Sequence, residues 1–138
     1  LGRSGGAVVF LDLDDFKEIN DRFGHESGDR VLRELTEQVR KRLRATDLLA
    51  RWGGEEFMIL LPDTDLPRAA RLAEDLLSRM SDGTIYGIGR VTASFGVAAY
   101  RSSVGIDALL TRVDDLMYRA KREGRSRIAC DPEPPAAT

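Results

Sequence analysis

The sequence predicts an α+β domain in which helices pack on one largely antiparallel, five-stranded sheet. Three observations predict it. Short apolar or alternating runs are interleaved with long stripes of apolar residues at three- and four-residue steps. Their order is strand, helices, hairpin, helix, strand, helix, strand. The 138 residues suffice for one core and not for two.

Taken in order, Leu1 to Gly6 is glycine-rich and aperiodic and reads as a lead-in. Ala7 to Leu13 is an apolar run of strand length. Asp14 or Asp15 is placed to cap a short helix through about Arg22, because a carboxylate accepts the exposed amide hydrogens there. From Asp29 to Arg44, the residues Val31, Leu32, Leu35, Val39 and Leu43 line one helical face. Leu48–Trp52 and Glu55–Leu61 form two strands joined at Gly53-Gly54, where paired glycines would permit the positive φ angles of a tight hairpin. Leu66 to Met80 is a second long helix. Arg90 to Tyr100 alternates, with Val91, Ala93, Phe95, Val97 and Ala99 on one side. Ile106 to Ala120 is the third stripe, closed by Gly124 as a C-cap. Arg127 to Cys130 is the last strand, and the proline-rich Asp131–Thr138 reads as a disordered tail or linker. The expected domain is therefore 1–130, with 131–138 outside it.

Composition excludes several function classes. A net charge of −2 leaves no broad excess of base for coating a nucleic acid. No apolar run approaches the roughly 18 residues of a membrane span, so no membrane contact is expected of this segment. One cysteine, Cys130, can form neither an internal disulfide nor a cysteine zinc site.

Carboxylates mark the chemistry. Asp12 and Asp14 end the first strand, and Glu55 and Glu56 follow the double glycine. Most acidic pairs are solvated turn residues. Here Asp12 lies between Leu11 and Leu13, and Glu56 runs straight into Phe57–Leu61. Ionised carboxylates so near a core need a cation or hydrogen bonds. A strand-end aspartate meeting a hairpin glutamate makes an oxygen-rich site suited to magnesium and phosphate. Since strand side chains alternate, Glu55 and Glu56 should play different parts.

Gly53-Gly54-Glu55-Glu56-Phe57 resembles the signature of the GGDEF family, whose members are diguanylate cyclases or degenerate relatives. The resemblance continues through Asp12-Leu13-Asp14-Asp15-Phe16-Lys17, Asn20-Asp21, Phe23-Gly24-His25 and Gly28-Asp29. It goes on with Arg51, Thr92–Ala98, Tyr118-Arg119-Ala120-Lys121 and Gly124-Arg125, and covers about residue 6 to residue 130. It implies a palm-like, nucleotide-cyclase-like sheet and a cytoplasmic enzyme (of a parent chain that can be membrane-anchored). That enzyme joins two GTP into cyclic di-GMP. By the same resemblance, Asp12, the Leu13 carbonyl and Glu56 hold Mg2+ (or Mn2+), two ions per site. Glu55 is a general base or a further metal ligand. Asp15-Phe16-Lys17 opens a helix whose amides cradle phosphates, and Lys17, Lys121 and Arg125 add positive charge. Asn20 and Asp29 read guanine, although Asp29 also suits a helix N-cap. Catalysis would need a homodimer, since each site holds one GTP. Arg44-Ala45-Thr46-Asp47 matches the family's product-inhibition site in its offset from Gly53, with Arg68, Arg71 and Arg79 as possible helpers.

Departures from the family pattern are Glu55 in place of aspartate and Ser126 in place of asparagine. The Asp-x-Leu-Thr motif expected near the start is also missing, since the sequence opens on Leu1-Gly2-Arg3. That segment is expected to pack near the nucleotide, so the stretch as given should bind it less well. The alternative reading is a regulatory domain of the same family that binds GTP or cyclic di-GMP without turnover.

Overall fold

The computed structural model describes residues 5–83, 87–101 and 105–132. Residues 1–4 of the expected lead-in and 133–138 of the expected tail lie outside the described residues. The elements run β1 (Gly6–Leu13), α1 (Phe16–Phe23), α2 (His25–Arg40), β2 (Leu48–Arg51), β3 (Glu56–Pro62), α3 (Leu66–Ser81), β4 (Ala93–Tyr100), α4 (Ile106–Arg122) and β5 (Arg127–Cys130). This is the order the sequence predicts. The sheet order is β2-β3-β1-β4-β5, antiparallel throughout except for the parallel β4–β5 pair.

Alternation along the central strands builds two cores. Val9, Leu11, Ile59, Phe95 and Val97 face one way and pack with Val31, Leu35 and Val39 of α2 and Ala73, Leu76 and Met80 of α3. Val8, Phe10, Met58 and Ala98 face the other way and pack with Leu109, Val113, Met117 and Ala120 of α4. Each fully buried side chain of this size contributes about 2 kcal/mol. The predicted stripes are therefore core, except that Ile106 at the start of α4 stays exposed.

Four local expectations are corrected. Helix α2 starts at His25 and ends at Arg40, four residues ahead of the predicted span at each end. The Gly28 amide already bonds the Gly24 carbonyl, so the helix is under way before Asp29 and that residue is not its N-cap. At the other end Arg42 donates to the Gln38 carbonyl at 2.7 Å and draws off a helical acceptor, while Leu43 still packs on the core from outside the helix. Second, Asp15 is the N-cap residue of α1, but with φ 55° and no side-chain cap bond. Third, neither Gly53 nor Gly54 takes a positive φ. Fourth, β4 begins at Ala93, where its pairing with Leu13 of β1 begins. Gly124 does close α4: it sits at φ 128° and its amide bonds the Lys121 carbonyl, while the Arg125 amide reaches back to Ala120. No helix among the described residues is long and apolar enough to cross a membrane.

Candidate active site

Strand register brings the acids together. Asp12 pairs with Glu56 across β1–β3 and with Ser94 across β1–β4. Directly opposed residues have Cβ atoms about 5 Å apart. By alternation with Val8 and Phe10, these three side chains lie on the α4 side of the sheet. The last turn of α4 then delivers Lys121. Its Nζ lies 3.3 Å from Asp12 Oδ1, 3.2 Å from Asp14 Oδ1 and 3.4 Å from the Leu13 carbonyl oxygen. The structure thus seats Lys121 on the carboxylates, a contact that the resemblance does not assign.

Asp14, which the sequence offered as a helix cap alongside Asp15, is instead the best-held acid of the site. It is buried and accepts hydrogen bonds from Thr92 Oγ1 (2.7 Å), Ser94 Oγ (2.7 Å) and the Ser126 amide (2.9 Å). Burial alone would raise its pKa. The hydrogen bonds from Ser94, Thr92 and Ser126, with the Lys121 charge, outweigh burial and leave it below the ordinary value. The visible signal is the pair Thr92 and Ser94 at the start of an apolar run. Ser126 contributes through its backbone, so the family's asparagine is not needed for this bond. Asp14→Ala should cost about 3 kcal/mol, because the Ser126 amide cannot turn elsewhere and a charge-assisted network is broken. The midpoint of urea denaturation checks it. A carboxyl with a lowered folded pKa stabilises fully above the unfolded value of 3.8 and loses that contribution as pH falls through the folded one. The variant should therefore lack this component of acid destabilisation.

The β2–β3 turn shapes Glu56. A Cβ on Gly53 would lie 2.5 Å from Glu56 Oε1, so glycine here makes room for the carboxylate. Arg51 braces the turn through the carbonyls of Gly53 (3.3 Å) and Gly54 (2.5 Å). Glu55 precedes the strand, and its carbonyl accepts the Leu13 amide at 3.2 Å, tying the turn to the end of β1. Burial raises the pKa of Asp12, Glu55 and Glu56. The Asp12 charge raises both glutamates further, and Lys121 opposes the rise in all three. Such a site is short of positive charge. Its donors are carboxylate and carbonyl oxygens, which fit Mg2+ or Mn2+ and not a soft metal. Among the described residues no three His, Cys, Asp or Glu side chains gather into a cation cage. The candidate set is two carboxylates and one carbonyl, a number that magnesium completes with phosphate oxygens and water.

Beside the acids lies the open end of α1. Because Asp15 makes no side-chain cap bond, its carboxylate does not occupy the first-turn amides that begin at Phe16. Arg125 Nε stands 3.8 Å from Asp15 Oδ1, and Lys17 is exposed in the first turn. Further along α1, Asn20 Oδ1 sits 1.9 Å from where a Cβ on Gly28 would be, so glycine there leaves the Asn20 amide its place against α2. Asp29 follows on the exposed side of α2 and lines a groove of about 680 Å³ with Leu32, Arg33, Thr36, Arg51 and Phe57.

Arg44 and Asp47 form a separate unit. Arg44 forks onto Asp47 (Nε–Oδ2 3.3 Å, Nη2–Oδ1 2.9 Å) and also donates to the Pro62 carbonyl and Thr64 Oγ1, both at 2.7 Å. Pro62 pairs with Gly6, at the far end of β1 from Asp12. Six strand residues separate these sites by roughly 20 Å. Of the expected helpers, Arg68 pairs with Asp65 and Arg79 with Asp75, while Arg71 is exposed. His25, the lone histidine, opens α2 and is exposed.

Known proteins are similar to this chain in sequence and architecture. Residues 2–127 match the family model described as "Diguanylate cyclase, GGDEF domain". The chain is 45% identical over 122 residues to the diguanylate cyclase DgcM of Escherichia coli, covering 88% of this chain and 30% of that protein. It is 42% identical over 135 residues to the response regulator PleD of Caulobacter vibrioides, covering 93% and 30%. It spans less than a third of the length of either relative. Among solved structures, the active GGEEF domain of a diguanylate cyclase from Vibrio cholerae superposes with a TM-score of 0.84 at 32% identity, covering 93% of this chain and 83% of that one. The GGDEF domain of DgcB from Caulobacter crescentus, in complex with c-di-GMP, gives 0.83 at 29% identity, covering 90% and 74%. The chain therefore belongs to the GGDEF family, and its five-stranded sheet matches the solved domains of that family.

Proposed function

We propose that this domain is a diguanylate cyclase: two GTP are condensed into cyclic di-GMP, and two pyrophosphates leave. The observation that carries the reading is the register of Asp12 opposite Glu56, with the Leu13 carbonyl and Asp12 sharing the Lys121 ammonium and no Asp15 side-chain cap on α1. Asp12, Glu56 and the Leu13 carbonyl hold magnesium, two ions per site, which supplies charge to offset that building on the α-phosphate and the pyrophosphate. The amides opening α1, with Lys17, Lys121 and Arg125, hold the β- and γ-phosphates. Asn20 and Asp29 read the guanine edge. Glu55, whose raised pKa makes it a better proton acceptor, either takes the 3′-hydroxyl proton or adds a further oxygen to the ion.

One GTP per site means that two domains must face each other, each offering a 3′-hydroxyl to the other's α-phosphate. Pairing raises the effective concentration of that hydroxyl. The test is the domain fused to a strong dimerisation module and supplied with GTP and Mg2+. Cyclic di-GMP and pyrophosphate should form in a 1:2 ratio, and nucleotide binding with no product would favour the regulatory alternative.

Product feedback is assigned to Arg44 and Asp47. Arginine forks onto phosphate or the guanine edge, and this one is pre-oriented by its own aspartate. At roughly 20 Å from the acids, estimated from the strand rise, bound product would not compete directly with GTP. Arg44→Ala should raise the inhibitory product concentration by about tenfold, the loss expected for a charge-assisted hydrogen bond. Rates taken before product accumulates should stay within about twofold of the parent. Progress curves with added cyclic di-GMP check both.

A further inference from the structure

We propose that Lys121 is the internal counter-cation of the acidic site, that a divalent ion must displace it, and that the released ammonium then serves the triphosphate. Metal and nucleotide would then bind cooperatively. The proposal rests on the metal–nucleotide reading above and adds an order of events to it.

The geometry points to a swap. Two of the three groups assigned to the ion, Asp12 Oδ1 and the Leu13 carbonyl oxygen, are the groups that Lys121 Nζ touches, at 3.3 and 3.4 Å. An ammonium and a divalent cation cannot share these oxygens without strong repulsion. The site is built to let the lysine go. Asp14, its other partner, keeps the Thr92, Ser94 and Ser126 hydrogen bonds when the ammonium leaves, so no carboxylate is stranded. Lysine suits the part, being a point charge on a flexible stem. A destination lies close by. Lys121 lies four residues before Arg125, which sits just past the end of α4 and whose guanidinium already stands 3.8 Å from Asp15 at the mouth of α1. In the ion-free state Lys121 offsets the mutual repulsion of Asp12, Glu55 and Glu56, whose pKa values it lowers. Once the ion takes over that duty, the phosphates gain a cation.

Two measurements test this on the dimerised protein. In the first, free Mn2+ is counted by electron paramagnetic resonance without nucleotide, for the parent, Lys121→Met, Asp12→Asn and the double variant. Lys121→Met should bind Mn2+ at least about tenfold more tightly, the scale on which one charge some 4 Å away shifts a site equilibrium. A non-hydrolysable GTP analogue should then tighten Mn2+ binding less in Lys121→Met than in the parent. Equal or weaker Mn2+ binding by Lys121→Met would overturn the proposal. If Asp12→Asn still abolished binding in that case, the metal reading itself would survive. Mn2+ binding that ignored Asp12→Asn in both backgrounds would sink the metal reading too.

The second measurement needs no variant to stay folded. The chain has three lysines, at 17, 41 and 121, so side-chain nuclear magnetic resonance can resolve them. Added Mg2+ should move the Lys121 signal and leave Lys41 in place. A Lys121 signal unchanged at saturating Mg2+ would overturn the proposal.

Discussion

Glu56→Ala should reduce pyrophosphate release to about one-thousandth of the parent rate or less, the scale reached when a principal electrostatic contact of a transition state is removed. The loss is specific to chemistry. Glu56 is the first residue of β3 and only half buried. The backbone oxygen at position 56, which accepts from Trp52 and Gly53, is kept by alanine. Its carboxylate also lies beside the Asp12 charge, which together with burial raises the Glu56 pKa, so its removal should leave the thermal midpoint unchanged or slightly higher. Stopped turnover with an intact fold is the expected pair of results, read from initial rates of the paired domains and from thermal melting. A variant retaining a tenth of the activity would mean that the site works through other oxygens.

Asp29→Ala should lower kcat/KM for GTP by about 10- to 100-fold, matching the roughly 1–3 kcal/mol of a charge-assisted hydrogen-bond pair. It should leave the value for ATP no lower. In the proposed role the N1 and exocyclic amine of guanine would both donate to Asp29, whereas adenine offers neither donor at that edge and would leave the carboxylate unpaired. Helix α2 supports this role, since Asp29 stands beyond its first turn and is not spent on capping. The tight Asn20–Gly28 approach holds the two proposed readers on adjoining helices. Competing GTP and ATP in one assay reads the ratio directly. An unchanged ratio would reassign Asp29 to the rim of the groove.

Much of this was legible because the site breaks the local rules of the sequence around it. Asp12 and Glu56 stand out as charges at the ends of apolar strands, and the alternation that builds the core puts both side chains on one face, while the β1–β3 pairing that opposes them is seen only in the structure. The parts that stayed hidden depend on distance along the chain. Asp14 is held by residues 78, 80 and 112 positions away, and Lys121 reaches β1 across 108. No local pattern encodes such contacts. The bounds of α2 were misplaced because Gly24 starts it without a side-chain cap, while Leu43 keeps the apolar spacing after the helix has ended. At Gly53 the residue was well chosen for a reason the sequence did not reveal: room for the Glu56 carboxylate, not a left-handed backbone.

The account stands on one divalent ion bound jointly at positions 12 and 56. A crystal structure with Mg2+ and a GTP analogue blocked between its α- and β-phosphates tests it most directly. The expected result is a cation about 2.1 Å from a carboxylate oxygen of each residue and from the Leu13 carbonyl, with phosphate oxygens completing its shell. Nucleotide bound with Asp12 and Glu56 on no common ion would contradict it.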